Sequence, residues 1–440
     1  MDGFKNIRLI LPVLLATGLT AVAIGCDSGA APTEVARGTL QLEPPTATIA
    51  PGEVLIIPFR FSGGSAPIPS AMPAWSSSDS GIALISPQGV ATALAPGTTW
   101  ITAEQDGVRD SLLLTVRNIR YRQVVAGDGW SCGLTPDGAL YCWGSVLTGI
   151  VPERTFPLRI APELRFDRLA LEDLELCALQ LTGDLYCARD TRVRTLEKQP
   201  GGPYLEISPG AARCALTRTG STVCGGSNLY GNAGVGDFRH MIPFPSQVEV
   251  PPLAAVDAGS HYPHTCGRTP DGEVWCWGRN AYGELGDGTR RDSPSPLRMK
   301  TDLRFRQVEA GNDFTCGISL DREMWCWGVV LFGGPEESIS KLPYRISLPH
   351  PVSKIESGYF RSLCALAGDE VWCMGGLQRA APHPIAGFPS LVDLSVGHGH
   401  VCGTTEDGEG WCSGSNIHGQ RGNGSLDAPQ LATRVADRSR

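Results

Sequence analysis

The side chains best placed to do chemistry in this 440-residue chain are its cysteines, of which fourteen of fifteen fall into seven pairs. Nine residues separate Cys132 from Cys142, Cys177 from Cys187, Cys214 from Cys224, Cys266 from Cys276, Cys316 from Cys326 and Cys402 from Cys412, and eight separate Cys364 from Cys373. Regular thiols can ligate zinc, relay electrons or close disulfides. Zinc ligands usually sit closer together along the chain, and a zinc knuckle gives no reason for loop length to change in step with cysteine spacing. Disulfides do give one. Seven copies of one small stapled unit imply a repeat architecture in an oxidising compartment.

Turn geometry explains the interval. With Cys132 opposite Cys142 in an antiparallel pair, Thr135 faces Ala139 and leaves Pro136-Asp137-Gly138 as the loop. That is a type I turn followed by a left-handed residue, where glycine avoids a Cβ clash. Gly183, Gly220, Gly272 and Gly408 fall at the same offset, whereas Arg322 in the fifth unit predicts a strained or reshaped turn. In the sixth unit Ala367 faces Glu370, and the two-residue loop Gly368-Asp369 suits a primed turn with glycine first. Each bridge closes a loop of about ten residues, worth about 2.5 kcal/mol by chain entropy.

Other chemistry is not signalled. The chain contains no glycine-rich phosphate loop, no His-Glu-x-x-His and no Gly-x-Ser-x-Gly elbow. His398 and His400 alternate as zinc ligands on a strand would, but His400 and His264 lie two residues before a unit cysteine, where Trp130 and Phe314 stand elsewhere. That register predicts packing. We therefore expect no catalytic group, no metal and no cofactor. An enzyme acting on polysaccharide would need convergent carboxylates, for which Asp128, Asp313 and Glu356 are the candidates. With Lys+Arg 37 against Asp+Glu 45 the formal charge is −8, opposite to that of a nucleic-acid binder.

These cysteines must be positioned by short strands. Gly 54 and Pro 34 punctuate the chain, sustained helical periodicity is nearly absent, and the expected class is all-β. Each unit reads as a strand, a short loop, a cysteine-bearing strand, a tight turn and a second cysteine-bearing strand often ending in Trp-Gly, as in VVAGDGWSCGLTPDGALYCWG. One hairpin cannot bury its own face, so the units must pack side by side, and closure into a ring of seven blades leaves only short edges. Either Arg120 to Val125 pairs with Leu431 to Val435 to complete one blade from both ends, or each unit is a blade by itself.

Every unit presents the loop before its first cysteine on the same face, the surface where propellers usually bind. The candidate contact residues are Asp128, Trp130, Arg213, His261, Tyr262, Asn312, Asp313, Tyr359, Phe360, Arg361 and His398. His261 and Tyr262 rank first, because the fourth unit has two extra residues between Gly259 and Cys266 compared with Gly127 to Cys132. Aromatic and arginine side chains are the usual interface anchors. Trp130 and Phe314 either join this face or fill gaps between blades. Trp143, Trp277 and Trp327 are expected in the core.

Before the repeats, Lys5 and Arg8 precede an apolar run from Leu9 to Ile24, and Gly25 stands directly before Cys26. Residues 1–25 read as a secretory signal. The stretch Ala23-Ile24-Gly25-Cys26 resembles the bacterial lipoprotein cleavage site, with alanine where leucine is usual. This implies lipidation of Cys26 and attachment to the membrane through that lipid alone. Residues 26–37 are small and polar, as a tether would be. Residues 38–118 show alternating runs at Thr39 to Leu42, Glu53 to Phe61, Gly89 to Leu94, Thr98 to Glu104 and Asp110 to Val116, a β-sandwich pattern. The order Ala50-Pro51-Gly52, Trp75-Ser76-Ser77-Ser78-Asp79, Gly89-Val90-Ala91-Thr92-Ala93-Leu94 and Pro96-Gly97-Thr98-Thr99 resembles the second group of bacterial immunoglobulin-like domains. That resemblance implies a spacer or adhesive module, with Trp75 in its core.

In residues 119–440, Trp277-Gly278-Arg279-Asn280-Ala281-Tyr282-Gly283-Glu284-Leu285-Gly286-Asp287-Gly288 matches the signature of the regulator of chromosome condensation repeat, with weaker copies at 226–236 and 414–424. The resemblance implies a seven-bladed β-propeller. Members of that family include an exchange factor for a small GTPase and secreted bacterial proteins, so the loops decide the partner. The export signal opposes the exchange-factor reading. The sequence as a whole points to a lipid-anchored protein of the bacterial cell envelope, whose propeller loops bind a protein or a glycan and not nucleic acid.

Overall fold

A computed structural model of the protein describes residues 39–51, 53–62, 72–145, 154–172, 175–188, 196–259, 263–330, 338–376, 380–427 and 431–435. The signal, Cys26 and the tether lie outside the described residues, as do His261 and Tyr262. Among the described residues the chain is all-β: seven four-stranded antiparallel sheets, each built from four consecutive strands, follow three sheets of four, three and two strands at the N-terminal end. We number the seven sheets as blades 1 to 7 in chain order, each with an inner, second, third and outer strand.

The second and third strands are the cysteine hairpin. In all seven blades the two cysteines are direct partners across it: Cys132 with Cys142, Cys177 with Cys187, Cys214 with Cys224, Cys266 with Cys276, Cys316 with Cys326, Cys364 with Cys373, and Cys402 with Cys412. All seven disulfides are formed, with Cα atoms 4.0–4.1 Å apart, as befits directly opposed residues of a narrow pair. The turn reading holds at the atomic level. Gly138 is left-handed at φ 82°, and its N–H donates to the Thr135 carbonyl at 2.9 Å. Arg322 keeps the same turn rather than reshaping it: it is left-handed at φ 62° and donates its N–H to the Ser319 carbonyl at 3.0 Å. The short turn of blade 6 pairs Ala367 with Glu370 and places Gly368 at φ 61°.

The glycine of Trp-Gly has a separate cause. Third and outer strands shift register between Cys142 and Gly144, and likewise between Cys276 and Gly278 and between Cys326 and Gly328, a bulge at the tryptophan. Blade 3 shifts in the same place, between Cys224 and Gly226, with Gly225 where the others have tryptophan. Gly144 is left-handed at φ 96°, and a Cβ there would stand 2.6 Å from the Gly129 carbonyl.

Among the described residues, ring closure uses no strand from the far terminus. Blade 7 consists of Asp393–Val396, His400–Thr404, Gly410–Gly414 and Thr433–Arg434, and blade 1 begins independently with Gln123–Ala126. Backbone and side-chain contacts close the gap. The Ala126 N–H donates to Ser395 Oγ at 2.9 Å, and the Tyr121 N–H donates to the Gly408 carbonyl at 2.7 Å. Tyr121, Trp143, Cys402, Cys412 and Val435 share one buried cluster.

At three junctions the long loop after the third strand latches onto the next blade. The Asn232 carbonyl accepts from Thr265 Oγ1 and Trp277 Nε1. The Glu284 carbonyl accepts from Thr315 Oγ1 and Trp327 Nε1, and the Gln420 carbonyl from Ser131 Oγ and Trp143 Nε1. Blades 2, 3, 6 and 7, which follow the shortened loops, have Leu176/Ala188, Arg213/Gly225, Leu363/Met374 and Val401/Ser413 at the two donor positions. The pairing of a hydroxyl with a tryptophan occurs in the three blades that follow a long loop.

The N-terminal residues pack Leu40, Leu42, Ile101, Leu112 and Leu114 into a core of their own. Glu53 to Phe61 divides into Val54–Ile56 and Phe59–Ser62, and Thr46–Ile49, Ala74–Ser77 and Ala83–Ile85 are strands that the alternation did not reveal. Trp75 is partly buried against this core, and a Cβ at Gly89 would stand 2.7 Å from its ring. This unit meets blade 1 through Ala50, which packs beside Ile119 and Tyr121, and through Glu53, whose carboxylate lies 3.3 Å from Arg159. Arg159 pairs with Tyr141 next to the Thr135–Ala139 turn. The N-terminal unit thus contacts the turn face, opposite to the loops that precede the first cysteines.

Candidate partner-binding face

Those loops, together with the long loops after the third strands of blades 3 and 4, carry a continuous chain of side-chain contacts across blades 1, 7, 6, 5, 4 and 3. In blade 1, Asp128 bonds His398 Nδ1 of blade 7 at 2.8 Å. The His398 ring stacks on Tyr359 of blade 6 at 4.4 Å, and Phe360 packs edge-on to both rings at 4.8 and 5.0 Å. Phe360 is 41% exposed. The next residue, Arg361, reaches Asp313 of blade 5, whose other oxygen accepts from Arg279 of blade 4 at 2.5 Å. Arg279 also bonds Glu284 at 2.7 Å and lies over the rings of Tyr282 and, in blade 3, Tyr230. Tyr282 further receives the Arg290 and Arg361 guanidinium groups, each 5.8 Å from its centroid.

The backbone under this chain is unusual. Six described non-glycine residues are left-handed, and three of them, Asp313, Phe360 and Arg361, are consecutive links in it. Left-handed non-glycine backbone costs about 1–2 kcal/mol per residue, so the surrounding contacts must hold it. Here the holding contact is Asp313, whose side chain is 3% exposed and carries a guanidinium on each oxygen. Burial pushes the Glu284 carboxyl up to about 7, against the backbone N–H bonds and Arg279 that favour its charged form. Asn312, Asp128, Tyr359 and His398 rim the mouth of the axial channel.

Two predicted contact residues are elsewhere. Trp130 is fully buried in the core between blades 1 and 2. Arg213 is 5% exposed and pairs with Glu175 and Gln199 beneath the surface, its guanidinium over the Phe244 ring. Both positions face the neighbouring blade, so sequence nearness to the loop misled. Arg279, Tyr282, Glu284, Arg290 and Tyr230 were missed although they lie in the long loops, because the repeat signature explained those residues as scaffold.

The carboxylates weighed for catalysis are each held by a basic group: Asp128 by His398, Asp313 by two arginines and Glu356 by Lys354 at 3.1 Å. His400 is buried and bonds Ser131 at 2.8 Å, as a packing register requires. Glu175, Cys177 and Cys187 cluster as metal ligands would, but the two sulfurs are joined in a disulfide and offer no thiolate.

Comparison with known proteins agrees with this geometry. The regulator of chromosome condensation (RCC1) repeat matches residues 271–318 by one profile, and 121–145 and 255–284 by a second. The ultraviolet-B receptor UVR8 of Arabidopsis thaliana is 24% identical over 224 residues, covering 44% of this chain and 50% of the receptor. The human E3 ubiquitin-protein ligase HERC2 is 25% identical over 253 residues, covering 56% of this chain and 4% of the ligase. The chain therefore spans half or less of the curated relatives it matches. Among solved structures, Prp20p of Saccharomyces cerevisiae, studied for its binding to Gsp1p and histones, superposes with TM-score 0.58 at 15% identity, over 70% of this chain and 88% of that one. Human WBSCR16 superposes with TM-score 0.55 at 14% identity, over 67% and 89%. The chain carries RCC1 repeats in an RCC1-like propeller, and its seven disulfides fit an oxidising, extracytoplasmic location.

Proposed function

We propose that this protein is a non-catalytic binding scaffold of the bacterial cell envelope: lipid-anchored at Cys26, raised on an immunoglobulin-like spacer, and engaging a protein partner through the loop face of its propeller. The observation that carries the reading is the arc from Asp128 through Tyr359, Phe360 and Arg361 to Tyr282. It gathers aromatic and arginine side chains on strained backbone around one axis, the composition and setting of an interface rather than of a packing seam. A glycan ligand is the alternative occupant of the same arc. The N-terminal unit supports the reading, because its contact with Arg159 lies on the turn face, opposite to the arc.

Site-specific photocrosslinking tests it. A photoreactive residue at Phe360 should crosslink a discrete envelope protein, whereas one at exposed Leu320 on the turn face should not. Equal crosslinking from both positions, or none from Phe360, would reject the face. Mass spectrometry of the mature chain should show a diacylglyceryl group on Cys26; an unmodified N-terminal segment would remove the anchor from the proposal.

A further inference from the structure

The inner strands surround an axial cavity of about 490 Å3. At the residue opposite each first cysteine, blades 1, 2, 3 and 7 present the uncharged Val125, Ala170, Ser208 and Ser395. Blades 4, 5 and 6 present Asp257, Glu309 and Glu356. Equivalent register puts these three carboxyls at one depth on adjacent blades. We propose that this arc makes the channel a proton-linked stabilising device: it retains protons in the folded ring near neutrality, and the propeller gains stability as its surroundings turn mildly acidic.

The neighbours of the arc explain why. Asp257 accepts from Ser208 Oγ at 3.1 Å and from the Ala310 N–H at 2.6 Å, and Glu309 accepts from Gln307 at 2.8 Å. Of the other carboxylates lining the channel, Glu206 accepts the Val256 N–H at 3.0 Å and Asp393 meets Lys354. Arg168, Arg268, Arg306 and Glu172 complete the charged lining. Among the described residues, Lys354 is the one cation in ion-pair contact with these five carboxylates, and it is divided between Glu356 and Asp393. Asp257 and Glu309 therefore have only neutral donors.

The direction of each titration follows. Burial raises Glu309, and the charges of Asp257 and Glu356 raise it further. Burial likewise raises Asp257 against its hydrogen bonds to Ala310 and Ser208. Glu356 is pushed up to about 7 by burial, with Lys354 opposing. Glu206 is raised by burial as well. A carboxyl raised in the fold contributes stability that is complete below its unfolded value of about 4.3 and lost as pH climbs through the folded value. The window therefore runs from about pH 4.5 to about 7. His400, lowered to about 4 mainly by burial, acts with the opposite sign, so the comparison must be made between variants rather than on the wild type alone.

Thermal unfolding of the whole mature chain, wild type beside Glu309→Gln and Asp257→Asn, supplies that comparison. At about pH 7.5 Glu309→Gln should melt above the wild type, and the gap should close toward about pH 5 as the native carboxyl takes its proton. A gap that stays constant across this range, or no gap at all, overturns the proposal. Infrared spectroscopy reads protonation directly, without reference to stability. Near about pH 6 the wild type should show a protonated-carboxyl band that vanishes at higher pH and is smaller in Glu309→Gln, since Glu284 on the loop face is raised as well; no band at about pH 6, or a band equal in both proteins, would equally overturn the proposal.

Discussion

Asp313 bears on both the strain and the chemistry of the loop face. Its buried carboxylate binds Arg279 and Arg361 together, and the second of these sits on left-handed backbone. Removing one member of a buried ionic set strands the others, at about 3 kcal/mol or more. Asp313→Ala should lower the unfolding free energy by about that amount in chemical denaturation, and should abolish any crosslink from Phe360. Arg322 offers the reverse case. It occupies the left-handed turn position that glycine fills in five other blades, so Arg322→Gly should stabilise by about 0.5–1 kcal/mol, read as a raised melting temperature. His400 carries a proton on Nε2: Ser131 donates to the Gln420 carbonyl, so its oxygen must accept from His400 Nε2–H. With burial first among the causes lowering it to about 4, the imidazole resonances of His400 should not move between about pH 7 and 5. The turn residues were readable in the sequence because their constraints are local. Asp128 and His398 were named singly but never as a pair, since 270 positions separate them and only the ring brings them together.

At the scale of elements, the disulfide hairpin was legible and the latch was not. Cysteine spacing fixes which residues face each other across a tight turn, a matter of counting within one hairpin. The latch instead joins the Glu284 carbonyl to Thr315 and Trp327 on the following blade. Read along the sequence, Trp143, Trp277 and Trp327 are merely apolar; read across blades, each is the donor for a particular preceding loop. Trp327→Phe should keep the packing and lose one hydrogen bond, costing about 1 kcal/mol, whereas Trp327→Ala should cost about 3–5 kcal/mol by denaturation. Tryptophan in Trp-Gly was noticed without its reason, which is the bulge that Gly144 permits. In the N-terminal unit, Thr46–Ile49 and Ala74–Ser77 escaped notice because each carries one large apolar residue, Ile49 or Trp75, whereas Thr39–Leu42, equally short, alternates two leucines with polar residues.

For the molecule as a whole, the ring is closed by hydrogen bonds and packing between blades 7 and 1 rather than by a strand shared between the termini. The N-terminal unit rests on the turn face through Glu53 and Arg159, leaving the arc free on the other side. All of this depends on each blade being stapled within itself, since a bridge between blades would pull second and third strands out of the register that aligns both the arc and the channel carboxyls. Non-reducing peptide mapping of the native protein measures that directly. It should recover Cys132 with Cys142, Cys177 with Cys187, Cys214 with Cys224, and so on through Cys402 with Cys412, every bridge confined to one hairpin. Peptides linking cysteines of different blades, or free thiols among these fourteen cysteines in the folded protein, would contradict it.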